Sequence, residues 1–232
     1  MRGERKYDFQ VRGKSFTGGT HVMAILNATP DSFYEGSRHR YDAVETARKF
    51  IEQGAEIIDV GGQSTRPGAV KVGSLEEMTR VLPVIEQIRA EFPDIPISVD
   101  TFYPDVAASA IDAGADMIND VSCLKYDGMA QVIVEKGASV CVMHDRRDSK
   151  IKDLFLDKEA GLAAAIDKLI DMFDEYPFLL GTSRKSMFGG EVGGRLSATL
   201  DSTALAVKQG VLFVRVHDVK ENAMVIKCYS KV

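Results

Sequence analysis

The chain has 232 residues, 45% of them hydrophobic and 27% charged, and a formal net charge of −5. That length and composition suit one α/β domain spanning residues 1–232, with enough apolar side chains for a full core. No run approaches the roughly 18 apolar residues of a membrane span, and the acidic balance argues against general nucleic-acid affinity.

The elements follow in order. The N-terminal MRGERKYDFQ has charge but no apolar stretch, so it does not read as a signal peptide. Residues 7–17 predict a short hairpin turning at Arg12-Gly13, and the GKS inside it lacks the upstream glycine and following helix of a phosphate loop. Residues 21–26, HVMAIL, form the first core strand, ending at Asn27 before the polar loop NATPDSFYEG. A helix is predicted over 42–53, closing at Gly54.

Residues 57–60, IIDV, read as a buried strand. It opens through Gly61 and Gly62 into Ser64, Thr65, Arg66, Pro67 and Gly68, the make-up of an anion-binding loop. A helix over 74–92 begins with SLEE, which reads as a capping box. Strands at 97–99, 117–118 and 139–143 follow, separated by helices over 104–113 and 128–137. They end at Asp100, at Asn119-Asp120 and at Met143 with His144. Near the C-terminus the strand 178–181 leads into TSRKSMFGG. A helix, the strand 211–216 ending at His217-Asp218, and a last helix over 220–229 complete the chain.

Strand, loop, helix and strand in unbroken alternation imply parallel strands joined by right-handed crossovers. Polar residues follow every strand, which favours a closed (β/α)8 TIM barrel with a short N-terminal hairpin over an open doubly wound sheet. Seven strands are found where eight are needed. Residues 158–176 read as one helical pattern with no turn, and 154–156 offer at most a three-residue strand. The region of the sixth strand is missing from the sequence between Asp145 and Phe178.

The strand ends sort into two chemistries. Asp100 and Asn119, a carboxylate and an amide at adjacent strand ends, suit a flat heterocycle with alternating donors and acceptors. Arg66, Lys185, Arg215 and His217, with Thr65, suit a phosphate or pyrophosphate, and Asn27 could offer an oxygen to a hydrated Mg²⁺. Arg215 lies in VLFVRVHD, and an arginine beside a buried strand needs an anion. An aspartate at a strand end can equally cap the next helix. Tyr103, Tyr126, Asp127 and the Glu76-Glu77 pair read as solvated surface, and 145–152 as a charged loop. Cys123, Cys141 and Cys228 show no paired spacing; two lie in apolar runs, so buried, reduced thiols in a cytoplasmic protein are expected.

Six ordered strings, ILNATPDSF, DVGGQSTRPGA, SVDTF, INDVS, GTSRKS and RVHDV, resemble the dihydropteroate synthase family, a pterin-binding TIM-barrel family. The resemblance runs from about residue 21 to residue 220. It implies a cytoplasmic transferase of folate biosynthesis and sulfonamide target. Such an enzyme joins para-aminobenzoate to 6-hydroxymethyl-7,8-dihydropterin pyrophosphate, giving 7,8-dihydropteroate and pyrophosphate. It further implies Asp100, Asn119, Met143, Lys185 and Arg215 at the pterin. Asn27, Thr65, Arg66, Arg215 and His217 would hold the pyrophosphate. Phe33, Pro67 and Ser186 would hold the aminobenzoate, and Asn27 the Mg²⁺. Lys185, Arg215 and His217 would carry catalysis, in a homodimer. The chain departs from the family in lacking the DPGxGF-type motif of the sixth strand, whose aspartate also binds the pterin. A pterin-binding methyltransferase domain and a noncatalytic deletion paralogue are the alternatives. GTSRKS and RVHDV favour the synthase over the former.

Overall fold

The computed structural model describes residues 9–28, 38–63, 71–143, 161–173, 175–189 and 191–230. Strands β1 (Phe9–Val11) and β2 (Lys14–Phe16) pair antiparallel as the predicted hairpin, with Arg12 and Gly13 both at positive φ in its turn. Then come β3 (His21–Asn27), α1 (Arg38–Glu52), β4 (Ile57–Gly61), α2 (Ser74–Glu91) and β5 (Ile97–Asp100). They are followed by α3 (Pro104–Asp112), β6 (Met117–Asp120), α4 (Met129–Lys136) and β7 (Ser139–Val142). The chain ends with α5 (Gly161–Met172), β8 (Leu179–Leu180), α6 (Leu196–Gln209), β9 (Phe213–Val216) and α7 (Val219–Tyr229).

Among the described residues the main sheet has seven parallel strands in the order β7-β6-β5-β4-β3-β9-β8. This is a barrel order running through the first and last strands, with one seam between β7 and β8. The seam falls where the sequence runs out of strands. The run 145–152 and the possible strand at 154–156 lie outside the described residues.

Alternation along each strand builds two cores. Val22, Ala24, Leu26, Ile58, Val60, Ile97, Val99, Ile118, Val214 and Val216 meet the helices outside. Met23, Ile57, Met117 and Phe213 fill the interior. The hairpin closes the floor of that interior: Phe16 is fully buried, with its ring 5.0 Å from Phe213 and 5.2 Å from His21. Each such side chain contributes about 1.5–3 kcal/mol by leaving water. Arg12 fastens the hairpin turn to the rest of the floor, donating to Pro93 O at 2.7 Å and Asp116 Oδ1 at 3.0 Å.

Four expectations need correction. Ser74 does not cap α2. It is the first helical residue, the cap is Gly73 with no side-chain bond, and Glu77 is turned into the core instead of back toward the cap. Glu77 is therefore buried, not solvated, while its sequence neighbour Glu76 remains exposed and pairs with Arg80. Tyr103 is half-buried, its hydroxyl donating to Val72 O at 2.9 Å and its ring packed on Phe102 and Tyr126. Cys123 and Cys228 are exposed, the first in a turn at φ 59° and the second on α7; Cys141 alone is half-buried, and all three are free.

Candidate active site

Register brings the chemistry together. Across the rim, Asn27 of β3 pairs with Gly61 of β4, Gly61 with Asp100 of β5, Asp100 with Asn119 of β6, and Asn119 with Cys141 of β7. These positions form one row of residues at the C-terminal ends of five neighbouring strands, where a parallel barrel carries its site. Gly61 matters in that row, since a Cβ there would stand 3.6 Å from Asp100 Cβ and narrow the mouth.

Below the row, Arg215 reaches in from β9. Its Nε donates to Asp59 Oδ2 at 2.5 Å and its Nη2 to Asp100 Oδ2 at 2.5 Å. Asn119 Nδ2 donates to the same Asp59 oxygen at 3.2 Å. The anion that Arg215 requires is thus supplied within the fold by two buried carboxylates. Burial pushes the Asp100 carboxyl up to about 6, although Arg215 opposes the shift. Burial alone would depress the Arg215 guanidinium, but Asp59 and Asp100 outweigh it and its pKa is raised. Asp59 Oδ1 and Asp100 Oδ1 are buried with no hydrogen-bond partner among the described residues. They are acceptors for which a bound molecule would have to bring the donors.

Burial pushes the Cys141 thiol in the row up to about 12, with Asp59 adding to the shift, so it stays protonated there. Met143, just past β7, is half-buried, its N–H bonded to Asp120 O at 3.1 Å. Asn27 is exposed at the rim.

A second group forms after β8. Ser183 Oγ lies 2.9 Å from His217 Nδ1 and accepts the His217 backbone N–H at 3.2 Å. Arg184, at φ 54°, donates Nε to Asp218 Oδ2 at 2.9 Å and makes a second bond to the same carboxylate. This fork ties the loop to the end of β9. Lys185 is exposed on that loop, and Ser186 begins a short 3₁₀ turn through Phe188.

The structure therefore gathers Asp100, Asn119 and Arg215 into one cluster and puts Asn27 on its rim. His217 is bonded to the loop that carries Lys185. Phe33, Thr65, Arg66, Pro67 and His144 lie outside the described residues, as does the Ser186 side chain. Sequence reasoning missed Asp59, hidden as the third letter of IIDV. Its signal was a charge inside an apolar strand, which requires a partner as Arg215 did.

A profile of the pterin binding enzyme family matches residues 23–160, more than half of the chain. The chain belongs to the pterin-binding enzyme family. It is 38% identical to the dihydropteroate synthase of Clostridium beijerinckii, covering 94% of this chain and 97% of that protein, and 39% identical to that of Escherichia coli K12, covering 87% of each. Among solved structures, the dihydropteroate synthase of Clostridium difficile, determined in the presence of pteroic acid, superposes with a TM-score of 0.81 at 37% identity. That match covers 92% of this chain and 96% of the other. The Yersinia pestis dihydropteroate synthase in a sulfonamide complex gives a TM-score of 0.81 at 30% identity, covering 96% and 98%.

These pterin-binding relatives also allow a comparison of length. The alignment with the Clostridium beijerinckii protein spans 261 positions, and 94% of 232 residues is about 218, so about 43 of its positions have no counterpart here. One strand–helix unit of a barrel takes roughly 30 residues. The shortfall is the size of a unit and its loops.

Proposed function

We propose that the chain is a dihydropteroate synthase, a transferase that condenses 6-hydroxymethyl-7,8-dihydropterin pyrophosphate with para-aminobenzoate and releases pyrophosphate. The observation that carries the reading is the pair of unpartnered, buried carboxylate oxygens beside Asn119. A pterin edge presents ring and amino N–H groups together with a carbonyl. Asp100 Oδ1 would accept from those donors, and the Asn119 amide oxygen, left over once Nδ2 is given to Asp59, would accept as well. Arg215 holds both carboxylates in place and opposes the upward shift of the Asp100 carboxyl, so the site is ordered before substrate arrives. Met143 would lie along the ring, and Lys185 would reach it from the loop after β8.

Thr65, Arg66 and His217 would hold the pyrophosphate, with Arg215 Nη1, which takes part in neither carboxylate bond, facing it. The Ser183 contact engages His217 Nδ1, so a phosphate oxygen would meet the ring at Nε2. Phe33, Pro67 and Ser186 would enclose the aminobenzoate. Its amine then attacks the methylene carbon as the C–O bond breaks, with no covalent enzyme intermediate. Among the described residues no three His, Cys, Asp or Glu side chains converge as a metal nest. Mg²⁺ would need no such nest, because it commonly keeps several waters and takes only one or two protein oxygens beside substrate phosphates. The rim amide of Asn27 fits that demand and would hold the ion, which supplies charge neutralisation to the leaving group.

The same reading takes residues 1–232 as one barrel domain working as a cytoplasmic homodimer. Sedimentation tests the dimer, and fractionation the location. Among the described residues no helix is long and apolar enough to cross a membrane. The seam favours one second reading, a noncatalytic paralogue that binds pterin without turning it over. The test is formation of dihydropteroate by the purified chain from both substrates with Mg²⁺, beside calorimetry of pterin binding. Product formation supports the synthase, while binding without product selects the paralogue.

A further inference from the structure

The exit of β4 rests on the first two turns of α2, and one contact there is of an unusual kind. Gly62 passes so close to the helix that a Cβ would meet Val81 Cγ1 at 2.8 Å and Glu77 Cγ at 2.9 Å. Its carbonyl accepts from Arg80 Nη1 at 2.8 Å. The next residue, Gln63, is buried and donates Nε2 to Glu77 Oε2 at 2.7 Å. Glu77 is itself completely buried. Two atoms of this pair, Gln63 Oε1 and Glu77 Oε1, are buried with no hydrogen-bond partner among the described residues.

An ionised carboxylate cannot satisfy both. Glu77 Oε1 and Gln63 Oε1 are then two acceptors left over by one donor, each costing about 1–3 kcal/mol. A single proton on Glu77 Oε1 would serve both: the acid O–H would donate to the amide oxygen while the amide N–H donates to the acid oxygen, closing a two-bond ring. The surroundings favour that proton. Asp100 faces Glu77 from β5, Tyr103 lies beyond it, and Arg80 on α2, which opposes the shift, is already engaged by Glu76. The neutral donors Gln63 and Thr101 pull the other way, and burial outweighs them. An ionised Glu77 would add a third carboxylate charge beside Asp59 and Asp100, which share one guanidinium.

We propose that Glu77 is a positioning residue, a carboxylic acid that keeps its proton and locks the Gln63 carboxamide, fixing the exit of β4 from which Thr65 and Arg66 follow. Burial first, then Asp100, pushes the carboxyl up to about 7, so the lock is made below neutrality and released above it. The sign for stability follows. Because the folded value exceeds the ordinary 4.5, the contribution of Glu77 is fully present below about pH 4.5 and is lost as pH rises through about 7. The link to anion binding rests on the synthase reading, while the proton itself does not.

The experiment uses the full chain labelled with ¹³C at the glutamate carboxyls, and Glu77→Gln as a neutral isostere. One carboxyl resonance titrating near 7 and absent from E77Q is expected; carboxyls that all titrate in the ordinary range overturn the proposal. Inorganic pyrophosphate is then titrated at about pH 6 and about pH 8.5, its own ionisation being common to both proteins. The ratio of wild-type to E77Q affinity is expected to fall about tenfold between the two, the equivalent of one lost hydrogen bond. An unchanged ratio with measurable binding overturns the positioning role. A carboxyl titrating near 7 in a chain that binds no pyrophosphate supports the locked acid and overturns the synthase reading instead.

Discussion

From β4 to β6 every strand residue is buried, whereas no residue of β7 or β8 is. The helices repeat the contrast. On α2, Glu77, Val81, Ile85 and Ile88 are buried, while α4 buries only Met129 and leaves Val134 80% exposed. Both sides are built from similar apolar strings, so side-chain type does not make the difference. A barrel strand is buried by its neighbours on both edges and by the helices over it, and among the described residues β7 and β8 each have a strand neighbour on one edge only. The polar cluster of Asp59, Asp100, Asn119 and Arg215 stands wholly on the complete side, reached by β9 from beyond β3. The centre of the site is therefore assembled although, among the described residues, the sheet is open between β7 and β8.

The sharpest way to break this contrast is Arg215→Ala. It removes the cation from two buried carboxylates, and turnover should be nearly abolished with about 3–5 kcal/mol of stability lost by denaturant unfolding. Near-normal activity would refute the site assignment. Next, Ile118→Ala on β6 should cost about 2–5 kcal/mol, and Val140→Ala on half-buried β7 about 1 kcal/mol or less. Equal costs would mean that the seam is covered. Asp100→Asn should weaken pterin-pyrophosphate binding about tenfold by calorimetry, the worth of one charge-assisted bond; unchanged affinity would remove Asp100 from the pocket. The mildest probe is amide exchange, expected to be faster in β7 than in β5 although both are parallel strands.

The sequence disclosed most of the architecture because a parallel barrel writes each strand as a short β-branched run and each helix as a 3.6-residue pattern. IIDV, ISVD and VLFVRV declared themselves. Asp100, Asn119 and Arg215 were legible for the same reason, each ending or interrupting such a run. Glu77 was not. In SLEE it stands where a capping box is the local solution, and only the neighbouring β4 exit, distant in sequence until folded, turns it inward. Asp59 was hidden by its apolar flanks. Its role depends on Arg215, 156 residues away, which no local pattern reports.

The position of β3 between β4 and β9 has a consequence for the birth of the molecule. Thr20, at its threshold, is bonded to Val211 O across 191 residues of chain, and β3 itself pairs along β9 from His21 to Ala24. On the ribosome, the first core strand to emerge is therefore the last to gain its second neighbour. It waits with one edge bare until β9 has been synthesised.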